Sequence, residues 1–190
     1  MNIKGKRIIV TGGGSGMGNA AVRRFADEGA RVVTIDLNDQ QAYKDVIAMK
    51  GNVTDKAQIT EVIGEAVKKL GGLDALFNIA GVNRFCKVEE TAEDTMDFIL
   101  SVNVKGLLFC CQAAFPYLKE NGGSIINFGS QAADNSGPDS AIYSASKAAV
   151  ASITRKIAWE WGQYGIRANT VEPSAWTPLF EQISDAIPFL

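Results

Sequence analysis

The chain has 190 residues, 46% of them hydrophobic, and a formal net charge of −2, which fits one domain with a sizeable core and no basic surface for nucleic acid. It contains no histidine, which excludes a Ser-His-Asp triad, a Cys-His dyad and the usual histidine-bearing catalytic zinc sites. Cys86, Cys110 and Cys111 show no C-x-x-C spacing, so we expect no disulfide framework and no metal site.

The sequence contains no apolar run that approaches the ~18 residues of a membrane span. The run Ile8–Val10 behind the basic N-terminus is far too short for a signal-peptide core. We therefore expect a single domain over residues 1–190, located in the cytoplasm, with neither a membrane nor a nucleic-acid partner.

Short apolar runs alternate with helical patterns from one end of the chain to the other. The predicted strands are Ile8–Thr11, Val32–Asp36, Val46–Met49, Leu73–Asn78, Ser124–Phe128 and Ala168–Val171. These are continuous apolar stretches, which is typical of parallel strands covered on both faces.

The clearest helical pattern has an apolar face that runs from Ile59 to Leu70. Asp55 and Gln58 predict a capping box at its start, and Gly71 predicts its end. Strands that alternate with helices predict a doubly wound (Rossmann) α/β domain of three layers with a parallel sheet. Ligands bind such a sheet where strands one and four flank the topological switch point.

A glycine-rich loop follows the first strand and opens a helix: Thr11-Gly12-Gly13-Gly14-Ser15-Gly16-Met17-Gly18. Glycines let the backbone turn tightly and approach a pyrophosphate, which the free N–H groups of a helix N-terminus attract. The spacing is T-G-x-x-x-G-x-G rather than the strict G-x-G-x-x-G fingerprint. Alone, such a loop is a weak signal, because ordinary turns also collect glycine.

Asp36 ends the second predicted strand, where an acid can accept hydrogen bonds from the adenosine ribose hydroxyls. The alternative interpretation is an aspartate that caps the next helix. Together with the glycine loop, ribose binding is favoured. A carboxylate there repels a 2′-phosphate, and neither Ser15 nor Leu37 supplies a basic partner, so we expect NAD(H) rather than NADP(H).

Tyr143 and Lys147 stand four residues apart, on one face of a predicted helix that runs to about Tyr164. A tyrosine with its reference pKa of ~10 is a poor base near neutral pH. A neighbouring ammonium, with the positive charge of an oxidised nicotinamide, favours the phenolate and lowers that pKa. The Y-x-x-x-K spacing alone is common by chance.

Several motifs occur together in a specific order. They are the Thr11–Gly18 loop, Asn78-Ile79-Ala80-Gly81, Asn103, Ser130 and the Tyr143/Lys147 pair. With them, the chain resembles the short-chain dehydrogenase/reductase family along nearly its whole length. Ser130 is similar to the catalytic serine of that family, and Asn103 is similar to the asparagine that anchors its proton-relay water.

The resemblance implies the roles of the site residues. Tyr143 exchanges a proton with the substrate oxygen, Ser130 hydrogen-bonds that oxygen, and Lys147 binds the nicotinamide ribose and lowers the Tyr143 pKa. Asn103 links Lys147 to solvent through water. The implied cofactor-binding residues are Gly12, Ser15, Gly16, Met17, Gly18, Asp36, Leu37, Asn52, Val53, Asn78, Ala80, Gly81, Tyr143, Lys147, Pro173 and Thr177.

The chain departs from the family pattern in several places. Ile79 replaces the second asparagine of N-N-A-G, Asn52 stands where an aspartate usually meets the adenine, Ser174 replaces a glycine, and Thr177 comes one residue early. The segment 36–52 is short for a helix and a strand. We also expect the domain to lack the usual C-terminal helix and last strand, which would leave Ala168–Val171 as an edge strand.

These observations predict an NAD-dependent dehydrogenase or reductase that acts on a secondary alcohol or ketone, with Tyr143 as general acid/base. The alternative is a catalytically silent NAD-binding regulatory or scaffold protein; an epimerase or dehydratase of the extended family is more distant. The segments Val102–Ala114 and Ala148–Trp161 are apolar on more than one face. With the resemblance, they predict a homodimer or homotetramer. The sequence does not identify the alcohol or ketone.

Overall fold

The computed structural model describes residues 3–134 and 138–173. One sheet of six parallel strands forms its centre, in the order β3-β2-β1-β4-β5-β6. The strands are β1 (Arg7–Thr11), β2 (Arg31–Asp36), β3 (Ile47–Lys50), β4 (Ala75–Asn78), β5 (Gly123–Phe128) and β6 (Ile166–Val171). All six predicted strands are therefore confirmed, each with bounds within two residues.

Five α-helices accompany the sheet in the described chain. They are α1 (Gly16–Asp27), α2 (Lys56–Leu70), α3 (Glu93–Leu100), α4 (Leu107–Leu118) and α5 (Ala141–Trp161). A π-helical turn (Ser101–Gly106) joins α3 to α4, and a 3₁₀ turn (Gly162–Tyr164) follows α5. Strand order and crossovers confirm the doubly wound α/β fold in three layers.

The two faces of the sheet carry different amounts of apolar packing. The larger cluster joins α2, α4 and α5 to one face, with Ile63, Cys111 and Ile125 fully buried in it. The smaller cluster lies under α1, where Val22 packs against Val10. Burial raises the pKa of the Cys111 thiol to about 12. The cysteine pair on α4 is therefore part of the core.

The connection between β2 and β3 is short, as the sequence predicts, and residues 37–46 form no helix. Gln40 spans the gap instead: its Oε1 accepts from the Thr34 hydroxyl at 2.7 Å and its Nε2 donates to the Met49 carbonyl at 3.0 Å. One amide side chain thus ties β2 to β3 where a helix would otherwise cover them.

The start of α2 differs in part from the predicted capping box. Asp55 accepts from the Gln58 N–H at 3.0 Å, as expected. The Gln58 side chain, however, accepts from the Asn52 N–H at 2.7 Å rather than from Asp55. Gly71 ends the helix in the left-handed conformation, with φ of 76°. The Gln58 side chain thereby anchors Asn52, an expected cofactor residue.

The continuous helical stretch Glu93–Leu118 has 26 residues and a mean hydropathy of 1.6 over its most apolar window. By length and composition alone it could cross a membrane, a possibility that the sequence analysis overlooked. Its α4 part packs against α2, β4 and β5. Core helices pass the same test, and six residues of α4 are buried in the domain.

Candidate active site

A cleft of about 510 Å³ lies along the C-terminal ends of the first four strands, where the switch point of the sheet predicts a ligand. Its lining includes eleven of the predicted cofactor residues: Gly12, Ser15, Gly16, Met17, Gly18, Asp36, Leu37, Asn52, Val53, Ala80 and Gly81. Ile35, Asn38, Gly51, Ile79, Val82, Phe98 and Val102 also line it. The structure therefore gathers residues from four separate motifs into one groove.

The glycine loop owes its shape to close backbone contacts. A Cβ on Gly18 would lie 1.9 Å from the Gly12 carbonyl oxygen, and a Cβ on Gly12, whose φ is +73°, would lie 2.6 Å from Ala80. Side chains at these positions are excluded by neighbouring backbone. The glycine loop consequently packs against the loop that follows β4 (residues 79–83, the β4 loop) and leads into the N-terminus of α1.

Asp36 is oriented by backbone donors at the end of β2. Its Oδ2 accepts from the Gly14 N–H at 2.9 Å, and its Oδ1 accepts from the Asn38 N–H at 3.0 Å. Because no helix follows, the alternative role as a helix cap is removed. Each carboxylate oxygen keeps further acceptor capacity, and the residue borders the cleft.

Asn78 does not line the cleft. It is buried beneath it, with 3% of its surface exposed, and its Nδ2 donates to Asn127 Oδ1 at 2.8 Å across the β4–β5 pair. Its Oδ1 has no hydrogen-bond partner in the described structure. Ile79, where the family pattern has asparagine, packs against the apolar cluster under α1.

The proton-transfer residues meet at the ends of β5 and α5. Lys147 is buried, and its ammonium donates to the Phe128 carbonyl at 2.7 Å, two residues before Ser130. The same ammonium lies 5.5 Å from the centre of the Tyr143 ring. A Cβ built on Gly81 would lie 3.5 Å from Lys147 Nζ. The catalytic group therefore adjoins the cleft.

Burial controls the ionisation of this group without a cofactor. It raises the pKa of Tyr143, and a hydrogen bond from the Ser130 hydroxyl partly offsets the effect by lowering that pKa. Burial lowers the pKa of Lys147 to about 8. The lowering of the Tyr143 pKa by Lys147, which the resemblance implies, stays a prediction; in this arrangement the Lys147 ammonium contacts the Phe128 carbonyl.

Asn103 lies in the π-helical turn with 2% of its surface exposed. Its Oδ1 accepts from the Val82 N–H at 2.8 Å. Its Nδ2 donates to the Val82 carbonyl at 2.9 Å and to the Ser146 hydroxyl at 3.0 Å. Both amide hydrogens are therefore in use within the protein, so the side chain has no donor left for a relay water.

The predicted residues Pro173 and Thr177, near the nicotinamide end of the site, lie at and beyond the end of the described chain. Thr177 and Ser174 lie outside the described residues. Pro173 follows β6 at the end of the described chain, half-buried, and does not line the cleft. Sequence reasoning missed Phe98 and Val102, which one side of α3 and the π turn brings to the cleft. Their helical spacing of four was the available signal.

Comparison with known proteins identifies the family of the chain. Residues 6–186 match the family described as short chain dehydrogenase. The chain belongs to this family of oxidoreductases, whose members bind a nicotinamide cofactor, NAD or NADP.

Three similar proteins illustrate the family. Meso-2,3-butanediol dehydrogenase of Serratia marcescens is 36% identical, over 92% of this chain and 72% of that protein. L-fucose dehydrogenase of Rattus norvegicus is 33% identical, over 96% of this chain and 70% of that protein. The structure of Thermoplasma acidophilum aldohexose dehydrogenase superposes with a TM-score of 0.92 at 30% identity, covering 97% of this chain and 72% of that one.

Proposed function

We propose that the chain is an NAD(H)-dependent dehydrogenase or reductase of secondary alcohols and ketones, with Tyr143 as general acid/base. The observation that carries the proposal is the position of Lys147, which lies against the cleft residue Gly81 and beneath Tyr143. The cleft thus holds an acid suited to a ribose, Asp36, and it adjoins Lys147, which lies next to a half-buried tyrosine suited to proton transfer, Tyr143.

The residues of the cleft fit a dinucleotide. The glycine loop presents backbone N–H groups at the start of α1, the wall at Gly12 and Gly18 has no room for side chains, and Asp36 faces the groove. A bound nicotinamide would supply the hydride acceptor or donor. Asp36 accepts from ribose hydroxyls and disfavours a 2′-phosphate by like charge, which supports NAD(H).

The protein's own contribution is orientation and proton transfer. Tyr143 donates its proton to the carbonyl oxygen in reduction and accepts it from the alcohol in oxidation. The Ser130 hydroxyl hydrogen-bonds the same oxygen and fixes its position beside the phenol. Lys147 directs its ammonium from the buried end of the site and favours the phenolate during oxidation.

The substrate is proposed at the level of a hydroxylated small molecule. The residues around Cys86 pair with those before α5, where the Cys86 N–H donates to the Asp139 carbonyl at 2.9 Å, so two loops form a wall near Tyr143. Relatives named for a diol and for sugars support an alcohol substrate. A panel that includes 2,3-butanediol and L-fucose is therefore the rational first screen.

Replacement of the phenol tests the proposal. Tyr143→Phe should lower kcat by roughly 10²–10⁴, because only the proton-transferring hydroxyl is lost, while the Kd for NADH stays close to that of the wild type. Tyr164→Phe, in the exposed 3₁₀ turn that follows α5, is the matched control and should leave both unchanged.

Substantial remaining activity in Tyr143→Phe would remove it from the acid/base role. A wild type that binds NADH tightly but turns over no alcohol or ketone in a broad panel would favour the silent regulatory alternative.

We also propose that the protein forms a homodimer or homotetramer through α4 and α5. The end of this helix pair exposes Trp159 to 86% and Tyr164 to 41%, beside a surface cleft that Phe115 lines. Exposed aromatic side chains that lie together, as these do, support an interaction surface. Light scattering should show an oligomer at micromolar concentration, which Trp159→Lys weakens. A monomeric wild type would contradict the proposal.

A further inference from the structure

Ser146 is a polar residue of α5 that neither the motifs nor the proposed mechanism employs. It is completely buried. Its hydroxyl donates to the Tyr143 carbonyl at 2.6 Å and accepts from Asn103 Nδ2 at 3.0 Å. A bond from a helical serine to a carbonyl one turn earlier is common and local. The second bond is not local, since it joins residues 43 positions apart.

The bond from Asn103 completes a chain of contacts between three segments of the site. The Asn103 side chain hydrogen-bonds both the N–H and the carbonyl of Val82, the residue after Gly81 on the cleft wall. Through Ser146 the same amide reaches the backbone of Tyr143. The β4 loop, the π-helical turn and the first turns of α5 are therefore linked by hydrogen bonds whose central members, Asn103 and Ser146, are buried.

The first turn of α5 has particular need of this support. Its N-cap residue, Ser140, makes no side-chain capping bond, and the first N–H groups of a helix have no partners within the helix. Tyr143 lies in that turn, two residues after Ala141 begins the helix. The Ser146 hydroxyl contacts the carbonyl of Tyr143 itself, so it acts on the backbone that carries the phenol.

We propose that Ser146 is a positioning residue: by bonding both Asn103 and the backbone of Tyr143, it fixes the position of the Tyr143 phenol relative to Ser130 and Lys147. This inference rests on the proposed role of Tyr143 as acid/base. It requires no direct contact of Ser146 with substrate or cofactor. Its loss should disturb proton transfer far more than cofactor binding, because small displacements of reacting groups are costly in rate.

The test uses two variants that remove the bonds and one that retains the hydroxyl. Ser146→Ala deletes the hydroxyl, Ser146→Cys fills nearly the same volume with a weak hydrogen-bonding atom, and Ser146→Thr is the conservative rescue. We expect kcat to fall about tenfold or more in the first two variants, with KM for NAD⁺ unchanged. Ser146→Thr should recover most of the lost kcat.

The pH profile is a second measurement, because a purely structural role of Ser146 would leave the pH midpoint of kcat unchanged. The groups that favour the Tyr143 phenolate are the Lys147 ammonium on the same helix and the Ser130 hydroxyl beyond β5. Displacement of the phenol weakens its interaction with each of these two groups, which raises the pKa of Tyr143. The pH midpoint of kcat for alcohol oxidation should therefore move upward in Ser146→Ala and Ser146→Cys. Ultraviolet titration of the tyrosinate, with Tyr143→Phe as the subtraction, measures the same shift without turnover.

Thr154→Val is the matched control, because Thr154 makes the same pair of contacts farther along α5. Its hydroxyl donates to the Val150 carbonyl at 2.7 Å and accepts from Asn127 Nδ2 at 2.8 Å. Its loss should lower the Tm as much as Ser146→Ala does, yet leave the pH midpoint unchanged.

Equal effects of the two substitutions on kcat and on the midpoint would overturn the inference, as would wild-type kinetics in Ser146→Ala or, if that variant does not fold, in Ser146→Cys. If Tyr143→Phe remains active, the proposed function fails and this inference fails with it. If Tyr143→Phe is inactive while Ser146→Ala and Ser146→Cys behave as wild type, only this inference fails.

Discussion

The two halves of the candidate site are built by different means. In the half formed by β1, α1, β2 and β3, the shape of the cleft comes from backbone, with glycines packed against carbonyl groups and Asp36 held by two N–H donors. In the half formed by β4, the π turn, β5 and α5, hydrogen bonds between buried polar side chains fix the shape of the site. These are Asn78, Asn103, Asn127, Ser146 and Lys147.

The difference indicates where each half is vulnerable. A backbone-built wall fails when a Cβ is added, whatever its chemistry. A network of buried amides and hydroxyls fails when a group is made apolar, even at constant volume, because its partner is left unsatisfied. Substitutions that discriminate between these two failures test the comparison directly.

The largest effect should come from the backbone half. Gly18→Ala places a Cβ 1.9 Å from the Gly12 carbonyl oxygen, and overpacking of this kind costs about 1–3 kcal/mol. We expect the Kd for NADH to rise by up to about 100-fold in a fluorescence titration. Gly162→Ala, which meets no atom within 4 Å, serves as the control. Unchanged NADH affinity in Gly18→Ala would show that close backbone packing does not determine this half of the site.

The side-chain half should lose stability before it loses affinity. Asn127→Leu removes the acceptor for Asn78 and the donor to Thr154, both at 2.8 Å in a fully buried position. The unsatisfied groups should cost about 1–3 kcal/mol of unfolding free energy, measured by urea denaturation. Asn169→Leu on exposed β6 surface is the control and should change stability by less than about 0.5 kcal/mol. A stable Asn127→Leu variant would show that the network is dispensable.

A smaller effect separates charge from shape in the first half. Asp36→Ala with Leu37→Arg keeps the glycine loop but removes the like-charge repulsion of a 2′-phosphate and adds a cation. We expect NADH binding to weaken and NADPH binding to improve, each by about tenfold, or about 1.4 kcal/mol. Wild-type protein that already prefers NADPH would refute the role given to Asp36.

The smallest effect concerns the seam where β1 meets β4. The Arg7 guanidinium hydrogen-bonds Asp74 and lowers the pKa of that carboxyl from 3.8 to about 2. A lowered folded-state pKa stabilises the fold fully above about pH 4, and the contribution is lost as pH falls toward 2.

Asp74→Asn should therefore reduce the loss of stability on acidification in that window, by at most about 1 kcal/mol because the pair is partly exposed. Urea midpoints compared at several pH values measure this. The same acid sensitivity in wild type and variant would assign it to other carboxyl groups.

Local spacing was enough to predict the backbone half and the Tyr143/Lys147 pair. A glycine loop after a strand and two side chains four apart on a helix are patterns that neighbouring residues define. Asp36 had two interpretations at the sequence level; the absence of a helix in residues 37–46 removes the role as a helix cap, and ribose binding stays a prediction.

The polar network could not be predicted in this way. Asn103 meets Ser146, and Asn127 meets Thr154, across 43 and 27 residues of chain. No local periodicity marks such pairs, because tertiary packing alone brings them together. The capping box failed for a different, local reason: the Gln58 side chain accepts from the N–H of Asn52, three residues before the N-cap Asp55.

The π-helical turn at Ser101–Gly106 also sets the rotational phase of the long helical stretch. A π turn holds more residues than an α turn, so α3 and α4 face different directions although they share one axis. Upstream, Phe98 borders the cleft, whereas downstream Cys111 enters the core. Deleting a single residue of the turn would rotate one part against the other by about 100°. The length of this turn is therefore as much a determinant of the site as the identity of its residues.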